Sequence, residues 1–259
     1  MLKILLQELF VALDYLHTET QVIHTGLPLL FPSNLAYLKL TNNPVDIQSK
    51  NIMVGTTDPS VFMEWDTLEQ TEPSPRKVIG DRIVYKSRTF QWKDDFVAFG
   101  LPLLSDFGEA RIGSGEHEGL IQPNQYRAPE VLLGMKWTSK VDIWNIGVMI
   151  WSLFEDHLLF DGAGPDGGFS DAYLLAEMIS VLGPPPIKFL ERRAWRGLPP
   201  IPENSLEDSE ERLEGKNKEL FMQFLRKMLT WMPEERFSAK ELLQDEWLMR
   251  PRHNVNRPP

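Results

Sequence analysis

The sequence predicts a mainly α-helical protein carrying small β-hairpins. Three observations lead there. Leu2, Leu5, Leu6, Leu9, Leu13 and Leu16 recur at helical spacing and mark one buried face of a helix over residues 1–16. Residues 140–155 form a strongly apolar, tryptophan-containing run of the kind that fills a central helix. Strand signals, by contrast, are few and short: Ile52-Met53-Val54, residues 77–86 and residues 101–105.

The remaining elements follow in order along the chain. Residues 67–76 hold Pro73 and Pro75 among acidic residues and read as a mobile loop. The segment 170–182 opens on a Ser170-Asp171 cap and stops at Gly183-Pro184-Pro185-Pro186. Residues 203–219 are rich in Glu and Asp and read as a solvated loop. A helix over 218–231 carries Leu220, Phe221, Phe224, Leu225 and Met228 on one face. A last helix over 238–248 has Ser238 and Glu241 placed as a capping box. The tail, 251–259, is short, basic and proline-ended and is expected to fray. Trp144, Trp151, Trp231 and Trp247 read as core rather than as a ligand platform.

Composition bounds the function. With 259 residues and an apolar fraction of 42%, the chain holds enough material for a sizeable core. It has no cysteine, which rules out disulfides and thiolate metal sites and fits a cytoplasmic or nuclear setting. Gln7, Glu8 and Asp14 interrupt the first apolar run, so it does not read as a signal peptide or membrane span. A net charge of −10 with no basic stripe argues against direct nucleic-acid binding. That charge suits a basic peptide substrate, and it equally serves simple solubility.

The chemistry-bearing signal is an ordered series: Asp106-Phe107-Gly108, then Tyr126-Arg127-Ala128-Pro129-Glu130, then Asp142-Ile143-Trp144-Asn145-Ile146-Gly147. Each triplet alone means little, but three in this order are specific. Upstream, Val22-Ile23-His24-Thr25 resembles the first half of a catalytic loop. Asp46-Ile47-Gln48-Ser49-Lys50-Asn51 resembles the second, with Asn51 five residues after Asp46. Residues 26–45 lie between the halves. They read as a retained-intron insert: twenty residues keep the frame, and codings exist that supply splice donor, branch point and acceptor. A genuine loop peculiar to the family is the alternative.

Over residues 1–250 these motifs resemble the C-terminal lobe of the protein kinase catalytic domain, close to fungal SR-protein kinases of the CMGC group. Leu13-Asp14-Tyr15-Leu16-His17 and Arg127 add to the likeness, and residues 55–104 resemble the long spacer that family tolerates. Nothing preceding the motifs resembles a Gly-rich loop or strand lysine, so the resemblance implies a C-lobe only, with the N-terminal lobe missing. It also implies ATP and Mg2+ as cofactors and transfer of the γ-phosphate to hydroxyls of basic, Ser-rich proteins. By that resemblance Asp46 is the base and Gln48 stands beside the transferring phosphate. Asn51 and Asp106 hold metal and nucleotide. His24, Phe107, Gly108, Arg127, Glu130, Asp142 and Arg236 are structural, with Glu130 pairing Arg236 and Asp142 bracing the catalytic loop.

Four departures limit this. Thr25 replaces the usual Arg, and Ser114 is the sole hydroxyl acceptor in residues 111–124. Gln48 replaces a lysine, removing a positive charge from the site. Pro123 stands where a threonine usually touches that lysine and the base. The absent N-lobe is the fourth. Two functions therefore stay open: a serine/threonine kinase whose 259-residue form shows no measurable activity, or a catalytically dead lobe that binds a protein. In either case the missing N-lobe or a partner is expected to cover the docking surface.

Overall fold

A computed structural model describes residues 2–25, 52–56, 60–86, 99–155, 157–192 and 199–250. The chain divides into two compact units, one formed by Met1–Met53 with Leu104–Pro259 and the other by Val54–Leu103.

The larger unit is helical. Its first helix, α1 (Leu2–Tyr15), buries Leu5, Leu6, Leu9, Phe10 and Leu13. Leu2 and Leu16 are only partly buried at the rim of the core, and Phe10 joins the buried face that leucine spacing alone did not mark. The helix widens into a π-turn over Leu16–Thr20, which Gln21 ends in the left-handed region at φ 53 by donating its N–H to Leu16 O. The short strand β1 (Val22–Ile23) follows.

The smaller unit starts near β2 (Ile52–Thr56) and contains α2 (Ser60–Thr71) and a hairpin of β3 (Arg76–Ile79) and β4 (Arg82–Tyr85). β5 (Phe99–Leu104) pairs with β2 and returns the chain to the larger unit. The hairpin pairs Arg76 with Tyr85 and Ile79 with Arg82, and Gly80 turns it at φ 62. Residues 67–71, expected in a loop, are helical. Thr67 Oγ1 bonds Met63 O, Thr71 Oγ1 bonds Thr67 O and Gln70 Nε2 bonds Asp66 Oδ2, so the polar run satisfies itself one turn back. The prolines act only after the helix has ended.

Back in the larger unit, β6 (Arg111–Ile112) pairs antiparallel with β1, Val22 opposite Ile112. A 3-10 turn (Asn124–Tyr126) leads to α3 (Pro129–Leu132) and to α4 (Lys140–Phe154). In α4 every residue from Val141 to Leu153 is buried, which makes it the axle of the unit. After it come α5 (Asp171–Leu182), α6 (Ile187–Leu190), α7 (Leu206–Ser209) and α8 (Gly215–Arg226). A 3-10 turn (Pro233–Glu235), α9 (Ala239–Leu242) and α10 (Glu246–Met249) complete it. Phe10 meets Phe224 edge-on at 6.1 Å, and Phe224 stacks on Trp247 at 5.1 Å, so α1, α8 and α10 share one aromatic seam. Lys3 lies 4.6 Å over the Trp247 ring, and its Nζ donates to Trp247 O and, at 3.2 Å, to Arg250 O.

Four further sequence expectations need correction. The helix expected at 218–231 runs from Gly215 to Arg226. It starts earlier because Lys218 N–H already reaches Glu214 O, and the chain then turns away where Phe237 N–H takes Lys227 O at 2.9 Å. The helix expected at 238–248 is two. The Ser238–Glu241 capping box starts α9, and Asp245 then accepts Trp247 N–H and starts α10. Ser170 occupies the N-cap of α5 without a side-chain cap bond. The segment 203–219 is not simply solvated, for Leu206 and Glu210 are buried. Glu210 is turned inward by the N–H groups of Arg212 and Leu213 at 2.8 and 2.6 Å and by Lys218 Nζ at 3.3 Å.

Close packing on α4 generates a prediction. A Cβ at Gly147 would stand 2.9 Å from Leu229 Cδ2 and 3.0 Å from Met228 Cβ. Gly147→Ala therefore lowers unfolding stability by about 1–3 kcal/mol, although alanine is the better helix former. Denaturant titration checks it, and an unchanged or higher midpoint would refute the tight contact.

Candidate active site

The site is organised around Asp142, in the first turn of α4. Its side chain is out of reach of water, so the charge has to be met by donors. Oδ2 accepts the His24 N–H at 2.8 Å and Oδ1 the Thr25 N–H at 2.9 Å. His17 Nε2 lies 2.9 Å from Oδ2. The helix N-terminus adds favourable potential for the carboxylate. Two consecutive backbone N–H groups are thus pinned on one side chain, and Thr25 is held there at φ 62. A left-handed non-glycine residue costs on the order of 1–3 kcal/mol and persists only when its surroundings impose it. A further tie comes from Thr25 Oγ1, which donates to Glu109 O at 2.6 Å.

His24 is fully buried, and its Nε2 lies 3.0 Å from Ser105 O, where only an N–H can face the carbonyl. The His24 ring sits edge-on to Phe107 at 5.0 Å. Ser105 is followed by Asp106, also left-handed at φ 64, with its carboxylate exposed. Ala110 N–H closes the turn on Phe107 O at 3.1 Å across Gly108. His24, Asp106, Phe107, Gly108 and Asp142 therefore form one neighbourhood. Asp46, Gln48 and Asn51 lie outside the described residues.

The segment after this turn is tied down along its length. Gly113 N–H donates to Gln21 O at 2.8 Å, and His117 and Trp137 exchange backbone bonds at 2.8 and 2.9 Å while their rings stack at 5.0 Å. Trp137 Nε1 donates to Gly119 O at 3.0 Å. Gln122, at φ 65, uses its amide in both senses, donating to Val141 O at 2.7 Å and accepting Ala128 N–H at 2.9 Å. Arg127 donates to Ile121 O, Gln122 O and Asn124 Oδ1 at 3.2, 3.0 and 2.8 Å, with Asp171 3.8 Å away. Burial lowers the Arg127 pKa and Asp171 opposes that, leaving a guanidinium spent largely on carbonyls. Pro123 caps the adjoining 3-10 turn.

A second anchor lies on the far side of the same helix start. Arg236 and Glu130 form a bidentate buried ion pair at 2.6 and 2.7 Å. Arg236 also donates to Thr230 O and Lys140 O, and its guanidinium stacks 5.0 Å from the Trp144 ring. Lys140 Nζ returns a bond to Arg236 O.

His17, Gln122 and Trp137 were not singled out from the sequence as site residues. His17 ends a recognisable helical run, which was its signal. Gln122 had no local signal, because its role depends on two backbone groups reached only in three dimensions.

Chemically, the described residues place an exposed carboxylate, Asp106, on a loop tied to His24 and, through it, to Asp142. Among the described residues no group of three His, Cys, Asp or Glu could hold a metal. Mg2+ in phosphoryl transfer needs only one or two protein carboxylates beside the phosphates, so Asp106 fits such an ion as one of its ligands. No helix among the described residues is long and apolar enough to cross a membrane.

Comparison with known proteins identifies the family. The protein kinase domain profile matches residues 100–248. A serine/threonine protein kinase of Aspergillus fumigatus is 54% identical over 260 residues, which cover 96% of this chain and 58% of that protein. The serine/threonine-protein kinase SRPK of Physarum polycephalum is 28% identical over 74% of the chain and 44% of its own length. The probable serine/threonine-protein kinase sky1 of Dictyostelium discoideum is 32% identical over 56% and 24%. The chain thus spans little more than half the length of the Aspergillus relative.

The buried ion pair generates the prediction here. Arg236→Ala strands Glu130 and is expected to cost about 3–5 kcal/mol. Pairing Arg236→Met with Glu130→Gln removes the stranded charge and recovers much of that loss. Urea unfolding of the two variants checks it, and equal losses in both would assign the cost to packing alone.

Proposed function

The chain belongs to the protein kinase family, and from that membership we propose that it is the C-lobe region of a serine/threonine kinase acting on basic, Ser-rich proteins. The observation that carries the reading is the Asp142 brace, which holds the His24–Thr25 backbone against the Asp106-Phe107-Gly108 turn. Phosphoryl transfer asks a protein mainly for position and charge, and this arrangement supplies a positioned carboxylate. Asp106 holds Mg2+, Asn51 a second ion, and Asp46 accepts the proton of the substrate hydroxyl. Bound ATP with Mg2+ supplies the transferable phosphoryl group. The net charge of −10 suits a basic substrate and disfavours direct contact with nucleic acid, and we place the protein in the cytoplasm or nucleus as part of this proposal.

The 259-residue chain itself transfers little or no phosphate on this reading. Residues 26–45 separate Thr25 from Asp46 in the sequence, so Asp46 is not a chain neighbour of the braced His24–Thr25 pair. A displacement of about 1 Å at a reacting group costs on the order of a hundredfold in rate. Gln48 and Pro123 remove two groups that normally steady the phosphate and the base. Those same substitutions favour the second reading, a protein-binding lobe without catalysis, whose exposed surface a partner or the rest of the kinase covers.

Labelled ATP, Mg2+ and a basic Ser-rich peptide test both. The chain is assayed alone and joined to the remaining part of the Aspergillus relative, each with and without residues 26–45. Removing 26–45 is expected to raise transfer by about a hundredfold in the joined protein, and Asp106→Ala to abolish it. If no form transfers phosphate and none gains thermal stability with ATP and Mg2+, the binding-lobe reading stands instead.

A further inference from the structure

The smaller unit contains a stretch whose described side chains all stay at least partly exposed. From residue 60 to residue 86 no side chain whose surroundings are described is buried. Helices draw most of their stability from packing an apolar face, and a lone two-stranded hairpin is marginal in water. Yet α2 exposes Met63 at 71%, and the hairpin exposes apolar side chains on both faces. Val78, Ile83 and Tyr85, at 65%, 50% and 53%, lie on one; Ile79 and Val84 lie on the other.

Charge is segregated between the two elements. Glu64, Asp66, Glu69 and Glu72 lie on or just past α2, with no Lys or Arg from 60 to 72. Glu69 is already engaged by Ser74 within its own segment. Arg76, Lys77, Arg82 and Lys86 sit on or beside the hairpin against the single Asp81. Among the described residues none of these four cations forms an ion pair, although an acidic helix lies within the same unit. Among the described residues β3 pairs only with β4.

We propose that residues 60–86 are a self-association module, in which the acidic helix of one copy of this chain docks on the basic, apolar hairpin of a second copy, and the reverse. A helix and a hairpin of opposite charge, each with uncovered apolar side chains, complement one another across a two-fold axis. Such an isologous contact buries both elements of both copies at once and closes at the dimer. The cations along the hairpin also oppose indefinite edge-to-edge strand pairing, which favours a closed dimer over a fibre.

The test uses the full chain, with mass measured by light scattering after size exclusion at about 10–100 µM. Three chains are compared: wild type, a hairpin reversal (Lys77→Glu, Arg82→Glu) and a helix reversal (Asp66→Lys, Gln70→Lys). The wild type is expected to be a dimer that weakens as salt rises, and each reversal to raise the dissociation constant about tenfold or more. Mixing the two reversals restores the dimer, since each then meets the opposite charge on its partner. Unchanged thermal unfolding of the larger unit shows that the variants fold. A monomeric wild type, a dimer indifferent to both reversals, or a mixture that stays monomeric would each overturn the proposal. The assay reads mass, so it is independent of whether the chain transfers phosphate.

Discussion

A carboxylate sealed from water, Asp142, is the constraint on which the larger unit depends. An unpaired charge there would be prohibitive, so folding has to deliver donors to it from a segment more than a hundred residues earlier. The donors that arrive are backbone N–H groups, whose geometry is set by the peptide and not by any side chain. Meeting the charge therefore dictates the path of residues 24 and 25, including the left-handed turn at Thr25. The loop at residues 24 and 25 takes its shape as the solution to an electrostatic problem inside a helix.

The same first turn of α4 is gripped from its other side by Arg236, which binds Lys140 O while chelating Glu130. Two buried charge systems thus meet on one helical turn, one facing the loop and one facing the segment after α8. Neither tolerates a shift of α4 along its axis without stranding a charge. Tight contacts at Gly147 then extend this register down the helix. The arrangement gives rigidity where the loops need a fixed reference and leaves freedom further out.

How much of this was legible in the sequence depended on whether the cause was local. The leucine spacing of α1 and the apolar run of α4 are periodic signals of burial, and both helices stand where the pattern predicts. The Ser238–Glu241 capping box was readable because its partners are three residues apart. Helix ends were not, because Lys227 turns the chain by bonding Phe237, a partner reached only in the folded state. Acidic segments misled for a similar reason. A run of Glu reads as solvated until a lysine and two N–H groups are brought to Glu210. The site divides in the same way: Asp106, Asp142, Glu130 and Arg236 stand out by motif, whereas Gln122 acts on groups that no spacing rule connects to it.

The grip of Lys3 on Trp247 and Arg250 has a topological consequence. Residues 3 and 250 lie within one hydrogen bond of each other, so the first turn of α1 and the segment leaving α10 meet at one point on the surface. The contact closes a loop between two segments far apart in the sequence. Its ends could be joined by a short linker and a new opening cut in an exposed turn, such as Gly167, without disturbing the core. Joining the two segments would also restrict the unfolded chain, stabilising the body through entropy alone.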